Sequence, residues 1–476
     1  MCRTGTKTVT REVPLTQTVF LHIGAFKTGT TYLQNVLWNN RARLADEGIL
    51  VPGKAMRDQP LAALELLDVS RDGYRSPKSE GAWQRLVEGI GSWQGHAAVT
   101  SMEFLSLAKT EHVRTVVADL APAEVHVVLT ARDLARVVPA AWQERMRNAK
   151  TFTWAEFVAA VQDPDQVGNP PAKGFWEQQD LPAILRRWGR AVPAERVHVV
   201  TVPPPGSPPT LLLERFGRVL GSDATGWDPD VEQSNESMGA VEAEFLRRIN
   251  WRISEAVEWP VYEHAVNNML GRGALAARPH PRRLVLPPEG LAWAAERAHG
   301  IVRAIERAGY PVVGDLGDLV PVPPPAVEHA PAPSADAPTE DVLAAAEDAI
   351  VTLVTTLGTR NVELRATLQR ERQQWQQERQ DAIAARREAV QKAVRRTESA
   401  AAERERARSV RGRARAAARR VRGLARRPAR ADEGRADEGR APTRAAPTRG
   451  NPRRPVRADR PRFHGVPRES GTGREL

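Results

Sequence analysis

Four short runs of β-branched and aliphatic residues limit what this chain can fold into: TVFLHI (18–23), HAAVT (96–100), VHVVLT (125–130) and RVHVVTV (196–202). Each is apolar at successive positions instead of alternating, so both faces of the strand it forms need cover. That is the signature of a parallel sheet between helical layers. Helical patterns follow the runs. TTYLQNVLWNNRARLADEG puts Tyr32, Leu33, Val36, Leu37 and Leu44 on one stripe ahead of Gly48, a C-cap signal, and RDLARVVPAAWQERMRN starts directly after the third run. Strand, helix, strand in this order predicts a three-layer α/β body.

The segment leaving the first run, HIGAFKTGTTYLQ, has the glycine spacing of a phosphate-binding loop at Gly24 and Gly29. A Walker loop places Lys and Ser/Thr directly after its second glycine; here Thr30 and Thr31 stand there, and the lysine, Lys27, lies inside the loop. A strand-to-helix loop offers backbone N–H groups and a positive helix end to anionic oxygens, and the hydroxyls of Thr28, Thr30 and Thr31 would supplement them. Lys27 at the crown would reach a bridging or leaving-group oxygen. Nucleotide hydrolysis would also require Mg²⁺ and an acidic ligand ending another strand. Asp133 has that place, but it opens a helix, where N-capping explains it equally well. The loop therefore suits anion transfer without a metal, and no metal site is expected.

Charge divides the chain. Residues 1–320 hold 36 Lys+Arg against 37 Asp+Glu, so the net charge of +11 comes from the remainder. The expected organisation is a flexible start (1–17), a P-loop body (18–319), a Pro/Ala-rich linker (320–340), a helical segment (341–400) and a basic, disordered tail (401–476) carrying the repeats ADEGRADEGR and APTRAAPTR. Ile350, Val354, Leu357, Leu364 and Leu368 stand near heptad spacing, so 341–400 can form a coiled coil and self-associate, although apolar positions thin out afterwards. The linker argues against tight docking of the tail, and the body cut between Gly317 and Val322 is expected to fold alone. The tail's charge suits a polyanion. Cys2 is the only cysteine, and neither an apolar run of membrane-span length nor a signal-peptide core stands out, so a cytoplasmic protein is expected.

KTGTT on a strand-to-helix loop resembles the 5′-phosphosulfate loop of sulfotransferases that use 3′-phosphoadenylyl sulfate (PAPS). VHVVLTARDLARVVPAAWQE resembles that family's second motif, a strand followed by an arginine that binds the 3′-phosphate. The likeness, in particular to uncharacterised actinobacterial sulfotransferase-like proteins, runs through VTSMEFL (99–105) and SNESMGAVEAEFLRR (234–248) and spans about residues 18–320. It implies a P-loop fold and transfer of a sulfuryl group from PAPS to a hydroxyl or amine of a small-molecule or glycan acceptor. Lys27 would stabilise the leaving phosphate, Thr28, Gly29, Thr30 and Thr31 would hold the 5′-phosphosulfate, and Arg132 the 3′-phosphate. The family pattern carries a serine eight residues after this arginine; here that residue is Ala140, which removes one anion contact.

Sulfuryl transfer calls for a base. Glu103, following HAAVT, is the candidate, with a structural carboxylate as the alternative; His22, within the first run, is the rival base and reads more naturally as a buried, hydrogen-bonded histidine. WQERMRN places Trp142, Glu144 and Arg145 near the same rim, with Trp142 explicable by packing. Trp251, Trp259 and Trp293 suit either an acceptor cleft or the core of a helical layer. Two other readings stay open: a P-loop nucleotide kinase or NTPase, and a catalytically decayed body acting as an interaction protein through its basic tail.

Overall fold

A computed structural model describes residues 16–70, 76–163, 165, 168–230, 238–253, 256–279, 282–321 and 338–424. Cys2, most of the expected flexible start and linker, the two tail repeats and the start of the SNESM segment lie outside them. The chain forms two compact units, Met1–Arg370 and Glu371–Leu476.

The first unit is built on a six-stranded, all-parallel sheet. Its strands are β1 (Thr18–His22), β2 (Ile49–Leu50), β3 (Ala97–Ser101), β4 (Glu124–Ala131), β5 (Val197–Thr201) and β6 (Val312–Val313), in the spatial order β2-β3-β1-β4-β5-β6. The four long strands are the four apolar runs. The two-residue edge strands carry too little pattern to stand out in the sequence.

Both faces are covered, as continuous apolarity demands. Val19 and Leu21 of β1 join Val127 and Leu129 of β4 and Val197 and Val199 of β5 in a large core on one face. Phe20, Val99, Val128 and Val200 point the other way, against Leu33, Val36 and Leu37 of the Thr30–Asn39 helix and Leu213 and Phe216 of the Leu211–Leu220 helix. Alternate residues thus feed opposite layers, the period-2 consequence of pleating.

The order matters more than the strand count. β1 is flanked by β3 and β4: the chain goes from β1 to the edge strand β2, returns inward to β3 beside β1, and then crosses to lay β4, β5 and β6 outward on the other side. The carboxyl ends of these three strands form the switch point at which open α/β sheets collect ligands.

Helices Ala240–Ile253 and Pro288–Ala308 fall where helical patterns occur, and a π-helix, Glu263–Leu275, lies between them. The C-terminal helix corrects two expectations. It runs from Thr339 to Leu424, beyond position 400, because Ala, Arg, Glu and Gln are strong helix formers. It also docks: Val342, Ala345 and Ala349 are buried, beside Val241 and Phe245, and Arg278 pairs with Asp348 at 2.9 Å. A few small apolar side chains suffice for that. The helix also holds an 18-residue window of mean hydropathy 1.4, long and apolar enough to cross a membrane by length and composition alone, contrary to the expectation of no such run. In the second unit the described helical residues from 371 to 420 are exposed.

Candidate active site

The loop after β1 is sewn to β4 before it turns. Ile23 N donates to Val128 O (3.0 Å), Ala25 N to Thr130 O (2.9 Å), and Thr130 N to Gly24 O (2.6 Å). Gly24 has φ 93°, and a Cβ there would come within 3.3 Å of the Glu103 Cβ, so glycine lets the loop pass against the end of β3. Gly29, at φ 84°, caps the Thr30–Asn39 helix. Between them Lys27 also lies in the left-handed region, at φ 63°, which for a side-chain-bearing residue costs about 1–2 kcal/mol. The surrounding loop holds that conformation in place.

Lys27 Nζ donates to Glu144 Oε2 at 2.6 Å, and Arg147 pairs with the same carboxylate oxygen. Burial alone would push the Glu144 carboxyl up; Lys27 and Arg147, with Arg272 of the π-helix, outweigh it and bring the pKa down to about 2. Thr30 donates its hydroxyl to Glu103 Oε2. Burial lifts the Glu103 pKa above the usual glutamate value, and the Thr30 hydrogen bond and Lys27 offset this only in part, with Glu144 adding to the rise. Two carboxylates around one lysine therefore differ: Glu144 is firmly ionised, and Glu103 holds its proton to higher pH. Environments that separate two carboxyl groups in this way mark acid–base sites.

Arg132 directly follows β4 and donates from Nη1 to Lys27 O at 3.2 Å, so it braces the loop. Its Nε is buried with no hydrogen-bond partner, and so is that of Arg147. Burial, aided by Arg136, lowers the Arg132 pKa to about 10, which leaves the guanidinium charged at neutral pH. Buried N–H groups without acceptors are costly, and an anion would satisfy them. The cations Lys27, Arg132, Arg147 and Arg272 outnumber Glu103 and Glu144 here.

The other expected residues separate by what they touch. Thr28 is fully buried, and its hydroxyl donates inward to Ala25 O at 2.5 Å, beside Thr130 Oγ1, so the hydroxyl is used within the loop's own fold. Thr30 is tied to Glu103, and Thr31 occupies the second position of the helix. His22 lies between Ser101 Oγ (2.7 Å) and Thr130 Oγ1 (3.1 Å); burial drops its pKa to about 3, which makes it a neutral structural group. Asp133 caps the Leu134–Arg147 helix by accepting from Arg136 N at 2.9 Å, the capping role weighed from the sequence. Trp142 packs edge-on against Trp154 and is core; Arg145 faces Gly174 O and Gln178. Ala140 lies half-buried on the same helix. Trp259 stacks on Tyr262 and Trp293 packs on Trp176, whereas Trp251 is 73% exposed and belongs to no core.

Arg147 and Arg272 are the residues that sequence reasoning missed. The i, i+3 spacing of Glu144 and Arg147 on one helix was a usable signal for the first; nothing local marked Arg272. Among the described residues no group of three or more His, Cys, Asp or Glu side chains gathers as a metal site would require.

No protein-family model and no curated protein matches the sequence. Among solved structures, the chain is similar to a sulfotransferase from Alicyclobacillus acidocaldarius, at 15% identity and a TM-score of 0.31, over 52% of this chain and 98% of that one. It is also similar to the sulfotransferase domain of the Synechococcus PCC 7002 olefin synthase, at 12% identity and a TM-score of 0.23, over 60% of this chain and 95% of that one. At such scores the chemistry has to rest on the residues of this chain.

Proposed function

We propose that the chain is a sulfotransferase that moves a sulfuryl group from PAPS to a hydroxyl or amine of an acceptor. The observation that carries this reading is the surroundings of Lys27: it crowns a glycine-framed loop at the sheet's switch point, next to a carboxyl of raised pKa and an arginine with an unsatisfied buried N–H.

The donor would supply an activated sulfur–oxygen bond. The loop amides and Thr30 hold the 5′-phosphosulfate end, and the free Nε of Arg132 serves the 3′-phosphate. The acceptor's oxygen or nitrogen bonds to sulfur as the bond to the 5′-phosphate oxygen breaks. Glu103 takes the acceptor's proton, which a carboxylate of raised pKa does better than an ordinary one. Lys27 neutralises charge on the leaving phosphate oxygen, a transition-state role. Glu144 and Arg147 keep the ammonium positioned. Adenosine 3′,5′-bisphosphate and the sulfated acceptor leave.

Calorimetry with adenosine 3′,5′-bisphosphate against ATP–Mg²⁺ tests the reading. Binding of the bisphosphate without metal, tighter than ATP–Mg²⁺, is expected. Preference for ATP–Mg²⁺ would move the protein to the kinase and NTPase class. Binding of neither would favour a decayed site, the reading that Ala140 supports.

A further inference from the structure

The helix Thr339–Leu424 meets the body with its smaller side chains and leaves larger ones in water. Val342, Ala345 and Ala349 are buried, at 6%, 0% and 1% exposure, and Leu353 packs partly buried beside them, whereas Ile350, Val354, Leu357, Leu364 and Leu368 are all more than half exposed. Ordinary amphipathic packing would do the reverse. At 3.6 residues per turn, the exposed stripe is centred about 95° around the helix from the docked face, so one does not compete with the other.

The stripe has the spacing of a two-stranded seam. Ile350, Leu357 and Leu364 recur every seven residues at d, and Val354, Asn361 and Leu368 occupy the intervening a positions. We infer that this seam, from Ile350 to Leu368, joins two copies of the chain as a parallel, in-register coiled-coil dimer, with Asn361 facing Asn361 of its partner.

Asn361 selects this occupant. A single asparagine at an a position fixes register and favours two strands, because each amide finds its complement only in the same residue across the seam. An apolar partner helix would leave that amide without a hydrogen bond, at a cost. Pairing two such stripes removes about 1,000 Å² from water, at about 100 Å² per apolar side chain, which meets the lower bound for a specific interface. The geometry is isologous and therefore closed at two copies.

A bilayer fits the stripe less well. The apolar window around it includes Glu347 and Asp348, and Asp348 is tied to Arg278 of the body, which also pairs with Glu242. Immersion would pull Val342, Ala345 and Ala349 off their packing and bring carboxylates into hydrocarbon. Charge adds a diagnostic. Arg360 and Arg365 occupy g and e, where they oppose each other across a parallel seam, so added salt should tighten the dimer.

The test is sedimentation equilibrium of the full chain across micromolar concentrations at two ionic strengths. A monomer–dimer equilibrium that strengthens with salt is expected. Leu357→Glu with Leu364→Glu should weaken it by about 100-fold or more, while circular dichroism shows helix retained at these exposed positions. In a Cys2→Ser background, Asn361→Cys should oxidise to a disulfide-linked dimer, which only a parallel, in-register seam permits. Asn361→Leu should tighten association but admit species larger than dimers. A chain that stays monomeric, a dimer indifferent to the two glutamates, or an Asn361→Cys chain that fails to cross-link would each overturn the inference. So would leucine-dependent binding to vesicles of phosphatidylcholine and phosphatidylglycerol by a monomeric chain.

Discussion

The rim of the sheet and the long C-terminal helix break the usual division of polar and apolar residues in opposite directions. At the rim, charged groups are drawn inside: Glu103, Glu144, Arg132 and Arg147 crowd around Lys27, and two buried guanidinium N–H groups lack acceptors. On the helix, Ile350, Val354, Leu357, Leu364 and Leu368 are left outside, while Val342, Ala345 and Ala349 face the body. An unsatisfied donor inside needs an acceptor, and an exposed apolar stripe needs another surface. Our two proposals follow that division: a small anion for the first region and a second copy of the chain for the second.

Altering the rim should damage chemistry most. Lys27→Ala should lower kcat by about 10²–10³, the scale of losing a preorganised charge-stabilising donor, with weaker effects on binding of the bisphosphate product. Turnover close to wild type in single-turnover assays would remove Lys27 from the mechanism.

Arg132→Ala should weaken adenosine 3′,5′-bisphosphate by about 10–100-fold, the value of a hydrogen bond to a charged group. Adenosine 5′-phosphate, which lacks the 3′-phosphate, should bind nearly as before. Equal losses in calorimetry would instead mean that Arg132 acts through its brace on Lys27 O.

Glu103 sets a pH dependence. The proposed base works only when ionised, and burial holds this carboxyl above the usual glutamate value, so kcat/KM should fall as pH drops through a point above the ordinary glutamate range. Glu103→Gln should abolish that acid limb along with most of the activity. A limb that survives the substitution would assign it to another group.

The smallest effect belongs to the helix. Truncation after Val320 removes Val342, Ala345, Ala349 and the Asp348 pair, and should lower the body's unfolding free energy by about 1–3 kcal/mol. Bisphosphate affinity should stay unchanged, as measured by thermal and denaturant melts beside calorimetry. Loss of binding on truncation would join the two regions functionally.

Much of the rim was legible because its parts follow strands. Runs of Val, Ile and Leu too continuous for a one-sided sheet announced parallel strands, and in a parallel sheet whatever follows β1, β3 and β4 gathers at one edge. Lys27, Glu103 and Arg132 could therefore be grouped from sequence although 76 and 29 positions separate them. Local chemistry was equally readable where it depends on near neighbours, as in the Asp133 cap and the glycines framing the loop.

Side-chain direction was not legible. The Thr28 hydroxyl has the same chemistry as that of Thr30, yet one is folded inward onto Ala25 O and the other meets Glu103, on either side of the left-handed Gly29. Glu144 and Arg272 come together around Lys27 only through packing of the Leu134–Arg147 helix and the π-helix, elements far apart in sequence. The sequence by itself determined the layers, the strand ends and the sign of charge at the loop. Tertiary structure alone decided which carboxyl is pushed up and which is held down in pKa, and which alanines of the long helix are buried, since desolvation and pairing depend on neighbours that no local pattern encodes.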